Sequence, residues 1–321
     1  MKRKVMAVFW CWAVTVSLSV TAFAQRMLIP VGKVVGLSLT EGSVTVAAFD
    51  DTLGAAAREA GIQIGDEIVS VDGQQIDSAA DLHQAMLRSG GRVELVLRRG
   101  DRERKVTMEP AITADGPKLG VMIREGVTGI GTVTYYDPQK QCFGALGHGV
   151  SDSRGMLCQM EQGRIYEATV AGIRAGIPGK PGQLRGAVTD GKAAGHLEKN
   201  TSFGIFGQGI CYKGEALPAA DGEDVQPGEA WILSNISGSE TQRFEIEIVK
   251  VYHQEPSNGR DMMIRVTDPE LLAQTGGIVA GMSGSPICQN GKIVGAVTHV
   301  LVNDPTTGYG IFIENMLAAA A

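Results

Sequence analysis

The sequence predicts a mainly β protein: a small α/β module first, then a larger domain of β-barrel or β-sandwich type. Three observations lead there. Glycine supplies 43 of the 321 residues, nearly twice the usual share of about 7%, and it lies within apolar segments without any period. From residue 118 onward, short strand-like runs (119–123, 130–136, 166–173, 203–206, 244–252 and 262–266) are separated by Gly, Asn and Pro turns. Helical periodicity in that part is confined to 268–275 and 314–321.

The hydrophobic share of 44% against 20% charged residues describes a globular chain, long enough for two domains and a large core. A formal net charge of −6 offers nucleic acid no attraction. The N-terminus reads as a targeting segment over 1–24: basic Lys2, Arg3 and Lys4, an apolar run over 5–20, and Ala22-Phe23-Ala24 as an A-x-A cleavage site. That run is short of the roughly 20 residues a membrane span needs, so the segment is a cleaved signal peptide or, extended to Ala24, a retained anchor. In both cases the rest of the chain is expected outside the cytoplasm.

Cys11 lies in the targeting segment, which leaves Cys142, Cys158, Cys211 and Cys288. Four cysteines allow two disulfides in three connectivities, or four buried thiols. No C-x-x-C unit is present, so a zinc site is not expected; no cofactor is expected.

Residues 28–110 read as the small module. A strand over 44–49 and an alanine-rich helix over 52–60 precede the run A-G-I-Q-I-G-D-E-I-V-S-V-D-G, from Ala60 to Gly73. A second helix over 78–88 carries Ala79, Leu82, Ala85 and Met86 on one face, with Ser78 placed to cap it. An alternating strand over 93–97 and a charged hairpin close the unit. This order resembles bacterial PDZ domains, which bind a peptide terminus or internal strand beside one of their own strands. The matching glycine-containing loop is expected at Gly36, Leu37, Ser38 and Leu39; the alternative is a PDZ-shaped domain that only packs. Residues 111–117 read as a linker and 118–321 as the second domain.

Two motifs in that domain carry chemistry. Gly281-Met282-Ser283-Gly284-Ser285-Pro286 spells G-x-S-G-x-P. A nucleophilic serine needs a tight turn that lifts its hydroxyl clear, and Gly281 and Gly284 permit one. The N–H groups of Gly281 and Ser283 are then candidates for an oxyanion hole. Ser285 fits the pattern badly, and the plain alternative is a Gly/Ser turn between strands. In Gly144-Ala145-Leu146-Gly147-His148-Gly149, His148 projects from a loop and is the candidate base; His299, after the strand next beyond the serine, is the other choice.

Taken together, the PDZ-type run, G-I-G-T-V-T-Y-Y-D-P, A-L-G-H-G, G-M-S-G-S-P-I and G-A-V-T-H-V-L-V-N-D-P-T-T-G-Y-G resemble the SpoIVB family of sporulation serine peptidases. The resemblance implies a PDZ domain followed by a chymotrypsin-like double β-barrel peptidase domain without a cofactor. It implies work between the two membranes around a developing endospore, self-cleavage, and cutting of a membrane-bound regulator of an intramembrane protease. It also implies Ser283 as nucleophile, His148 as base and Asp268 as third member. Asp268 stands only 15 residues before Ser283, and in T-D-P-E it is equally a helix cap; Asp152 and Asp137 are fallback acids. Six residues before the serine, where such enzymes set preference for Lys or Arg, stands Gly277. A non-catalytic, peptide-binding scaffold on the same barrel is the alternative function.

Overall fold

The computed structural model describes residues 25–152, 155–253 and 258–321; the expected targeting segment lies outside them. The chain enters through β1 (Met27–Pro30) and β2 (Val34–Phe49), and both serve the enzyme before any PDZ element appears. β2 is rich in β-branched residues and alternates, so it continues for 16 residues. Its first part pairs with β-structure far along the chain; its last part, from Val44, enters the PDZ module.

That module continues with α1 (Ala55–Glu59), β3 (Glu67–Val71), β4 (Gln74–Gln75), α2 (Ala79–Arg88), β5 (Val93–Arg99) and β6 (Arg102–Met108). Ser78 caps α2 by accepting the Asp81 N–H, as its position predicts. Val44, Val46, Ile68, Leu82, Met86 and Leu95 share one buried core. Asp66, fully buried, is held by Arg99 at 2.6 Å. The expected linker 111–117 is instead a hairpin of β7 (Ala111–Thr113) and β8 (Gly116–Lys118).

β9 (Val121–Asp137) then returns through both units. It pairs with β2 from Phe49↔Val121 to Val34↔Thr132, across bulges after Thr40 and Val46. The PDZ module is therefore an insertion in the β2–β9 hairpin. This corrects the expected boundary at residue 28: residues 27–40 belong to the peptidase.

The first barrel is completed by β10 (Cys142–Ala145), β11 (Gln162–Arg174), β12 (Gln183–Thr201) and β13 (Gly204–Gln208), while β14 (Leu217–Pro218) pairs with β1. The antiparallel pairings β9–β10, β10–β13, β13–β12, β12–β11, β11–β2 and β2–β9 close a ring. The second barrel is β15 (Gly228–Ser237), β16 (Glu240–Val251), β17 (Met262–Val266), β18 (Pro286–Gln289), β19 (Lys292–Leu301) and β20 (Asp304–Phe312), closed in the order β15-β16-β17-β20-β19-β18. α3 (Pro269–Thr275) leaves β17, and α4 (Ile313–Ala320) ends the chain; these are the two helices predicted there. Inward residues such as Ile232, Phe244, Ile264, Ile287 and Val297 fill the second barrel. The double-barrel expectation holds.

All four cysteines are free thiols: Cys158 and Cys288 are buried, Cys142 is half-buried and Cys211 is exposed. Burial pushes the Cys158 thiol up to about 12.

Candidate active site

The first barrel delivers His148. β10 runs buried between β9 and β13, then Leu146 (φ 70°) and Gly147 (φ 69°) turn the chain sharply. A Cβ on Gly147 would lie 2.9 Å from the Thr298 methyl of the second barrel, so glycine lets this turn seat against that barrel. Asn200 fixes the segment just beyond the base: its amide holds the Val150 N–H and carbonyl and the Cys158 carbonyl, each at 2.9 Å.

The imidazole of His148 makes one hydrogen bond among the described residues. Nδ1 lies 2.9 Å from the Gly149 carbonyl oxygen. A carbonyl only accepts, so Nδ1 carries the proton and the Nε2 lone pair is left to act as a base. Burial lowers the His148 pKa below the ordinary imidazole value, and the Gly149 carbonyl opposes that shift. The ring is neutral at neutral pH.

The second barrel delivers Ser283, in the turn between α3 and β18. Gly281 (φ 101°) and Gly284 (φ 96°) adopt backbone conformations that side chains rarely reach. The Ser283 hydroxyl donates to the Thr298 carbonyl at 2.9 Å, so it must rotate to meet His148. In this turn the N–H groups of Met282, Gly284 and Ser285 donate to the backbone at Val279, Val297 and Met282. Those of Gly281 and Ser283 have no such acceptor among the described residues, as an oxyanion hole requires.

His299, at the end of β19, faces the same space: its ring centroid is 5.5 Å from that of His148, tilted by 40°. Burial, then the charges of His148 and Arg260, push its pKa down to about 4. Its buried Nδ1 has no hydrogen-bond partner among the described residues. Of the two candidate bases, His148 has the fixed geometry.

None of the three candidate carboxylates lines the cleft among the described residues. Asp268 is the N-cap of α3: one oxygen accepts from Glu270 and Leu271 at 2.9 and 3.0 Å, the other from Glu245 at 3.3 Å. It does not line the cleft, which corrects its expected place beside the base; the capping role accounts for it. Asp137 is buried against Arg26 at 2.7 Å and holds the turn N–H groups of Gln139 and Lys140. Asp152 accepts the Met156 N–H within its own loop. The His148 nitrogen that an acid would hold is occupied by Gly149.

The cleft between the barrels measures about 840 Å³. Apolar Leu37, Leu39, Val127, Ile130, Leu146 and Leu157 line it beside His148, Ser283 and His299, and no acidic or basic side chain other than imidazole does so among the described residues. Gly277 contributes nothing to it. That glycine packs shut against Pro305, whose carbonyl also takes the Ile278 N–H at 2.7 Å.

The expected peptide site at Gly36, Leu37, Ser38 and Leu39 is corrected. These residues sit mid-strand, paired with β11 on one side and β9 on the other, so no edge is open for an added strand. The PDZ groove, about 190 Å³, lies between α2 (Leu82, His83, Met86) and the segment Pro117-Lys118-Leu119-Gly120-Val121 with Ile123. Gly120 turns there at φ 72°, its Cβ position 2.1 Å from the Leu53 carbonyl oxygen. The run Lys118-Leu119-Gly120-Val121 is the available clue, hidden because its pattern is also that of the enzyme's first strand.

A family model described as SpoIVB peptidase S55 matches residues 116–317, and one described as PDZ domain matches 53–99. Serine protease HTRA1 of Xenopus tropicalis is 34% identical over 71 residues, which are 22% of this chain and 15% of that protein's length. The active form of the Rv3671c protease from M. tuberculosis aligns over 61% of this chain and 75% of its own, at 15% identity and a TM-score of 0.35. The PDZ domain of an SdrC-like protein from Listeria monocytogenes aligns over 26% of this chain and 90% of its own, at 24% identity and a TM-score of 0.23. With the family match covering well over half its length, the chain belongs to the SpoIVB peptidase S55 family and is a serine peptidase that carries a PDZ domain.

Proposed function

We propose that the protein is an exported serine endopeptidase that cleaves itself and cuts a membrane-bound regulator, triggering intramembrane proteolysis during endospore formation. The carrying observation is the meeting of Ser283 and His148, from different barrels, in one cleft with two unclaimed N–H donors. His148 Nε2 takes the hydroxyl proton as Ser283 Oγ attacks the substrate carbonyl carbon. The N–H groups of Gly281 and Ser283 receive the oxyanion. His148 returns the proton to the leaving amine, and a water repeats the sequence on the acyl-enzyme. The Gly149 carbonyl holds Nδ1–H throughout, doing for the imidazolium what a carboxylate does in a triad, with less charge.

The place of work and the regulator rest on the motif resemblance and the basic–apolar N-terminus, and the PDZ groove suits a substrate's peptide terminus. The cleft lining favours apolar side chains around the cut bond. A non-catalytic scaffold is favoured by one observation, the Ser283 hydroxyl bound to Thr298 instead of His148. Labelling with a fluorophosphonate, compared with Ser283→Ala, separates the two. Incubating the purified protein and sequencing the new N-termini tests self-cleavage. A folded wild-type protein that neither labels nor cuts ends the enzymatic reading.

A further inference from the structure

The Ser283 N–H shares a peptide unit with the Met282 carbonyl, which the turn itself holds through the Ser285 N–H at 2.9 Å; the direction of the Gly281 donor is set from outside the turn. A trans peptide is planar, so pinning its carbonyl aims its N–H the other way. The Gly281 N–H shares a unit with the Ala280 carbonyl, which accepts the Leu184 N–H at 2.8 Å. Ala280 N–H donates in turn to the Gly182 carbonyl at 3.0 Å, which makes Ala280 and Gln183 a parallel bridge. Gln183 opens β12, a strand of the first barrel.

Thr132 of β9 grips the same turn from the other side. Its hydroxyl donates to the Gly281 carbonyl at 2.7 Å, and its N–H donates to the Ser283 carbonyl at 3.1 Å. Its own carbonyl accepts the N–H of Leu146, two residues before His148, at 3.1 Å. Thr132 is fully buried. One residue therefore ties the arm of the base to the turn of the nucleophile.

Glycine makes this approach possible. A Cβ on Gly284 would lie 2.1 Å from the Thr132 carbonyl oxygen, and one on Gly182 would lie 2.5 Å from a Val279 methyl. Yet a turn built on glycine is free to flip, and a flipped 280–281 peptide would put a carbonyl where the oxyanion must sit. Something outside the turn has to choose.

We propose that Thr132 and the segment 182–184 are positioning residues that hold the oxyanion hole formed, so that catalysis depends on the docking of one barrel on the other. This rests on Ser283 being the nucleophile. It extends the function from a set of site residues to a conformational requirement: the second barrel alone does not hold its hole.

The test compares Thr132→Val, which keeps shape but loses the donor, with Thr132→Ser, which keeps the donor. Each is assayed in the full chain on a fluorogenic library peptide and on its aldehyde analogue. Thr132→Val is expected to lower kcat by roughly 10- to 100-fold, in the range of losing or misplacing an oxyanion donor, with KM within about twofold. The aldehyde, which needs the hole, weakens by the same factor, while binding of the uncut peptide in a Ser283→Ala background stays unchanged. Thr132→Ser restores turnover. Gly182→Ala, which pushes the strand off without touching Thr132, is expected to show the same kcat-only loss. It decides the matter if the valine variant does not fold. Wild-type kcat and aldehyde affinity in folded Thr132→Val or Gly182→Ala overturn the proposal, as does a serine variant as slow as the valine one. Persistent activity in Ser283→Ala is a different failure, that of the nucleophile reading itself.

Discussion

The two barrels are alike in strand number and differ in how the chain builds them. The second is made from one continuous stretch, residues 228–312, whose one long connection, residues 267–285 between β17 and β18, carries α3 and the Ser283 turn. The first is interrupted between β2 and β9 by the PDZ module, yet it supplies His148, the apolar wall at Leu37 and Leu39, and the contacts on the Ser283 turn. Ser283, the proposed nucleophile, sits on the continuous barrel; Thr132 and residues 182–184, proposed to hold its turn, sit on the interrupted one. An insertion in the β2–β9 hairpin is thus attached to the barrel that carries His148 and Thr132.

The largest effect expected from breaking this arrangement comes from the reacting pair. Ser283→Ala and His148→Ala should each lower peptidase activity by several powers of ten, because the two act as one unit. Both are in glycine-rich turns outside the strands, so thermal unfolding should stay near wild type. Near-normal turnover in either folded variant would remove that residue from the mechanism.

Deletions give the next largest contrast. Removing 28–110 takes out β2 and opens the ring of the first barrel, so that variant should not fold. Excising 41–125 is different, since Thr40 and Gly126 are cross-strand partners that an Asn-Gly turn can join. This shorter chain should fold and hydrolyse a small peptide, while self-cleavage or choice of protein substrate changes. Unchanged processing of both kinds of substrate would reduce the PDZ module to packing.

These deletions also mark where the sequence is legible. G-x-S-G-x-P and A-L-G-H-G announce themselves because turn chemistry is local, and T-D-P-E is readable as a cap for the same reason. The alternation of β2 says that a strand exists but not which strands flank it, so residues 36–39 look like an open PDZ edge when they are paired on both sides. Nothing near Asn200 or Thr132 marks them, because their partners stand 50 and 149 residues away. The triad role of Asp268 comes from motif likeness, against its own local pattern, and the local pattern prevails.

A smaller effect concerns pH. The base works only when neutral, so kcat/KM falls as pH drops through the His148 pKa, and burial places that value below the ordinary 6.5. The acid limb should therefore lie below pH 6.5. His299 stays neutral until about pH 4 and should not contribute a limb above that. A limb above 6.5 that survives His299→Phe would mean that His148 has a carboxylate partner in the working enzyme.

The smallest effect sharpens the comparison most. Thr134 comes two residues after Thr132 on β9, at the bulge where Val133 and Tyr135 pair with successive residues of β10, and it is equally buried. Its hydroxyl has no hydrogen-bond partner among the described residues. Burying a hydroxyl without a partner costs free energy, so Thr134→Val should be neutral or stabilising by about 1 kcal/mol. It should leave kcat and KM as they are, because no donor to the Ser283 turn is lost. The pair Thr132→Val and Thr134→Val thus applies the same chemical change twice to one buried strand segment, once with and once without a partner across the barrel interface. If Thr134→Val slows turnover as much as Thr132→Val, the strand responds to any loss of a hydroxyl, and the first barrel acts through general packing of β9. If only the Thr132 variant slows, the control of geometry runs through that one hydrogen bond.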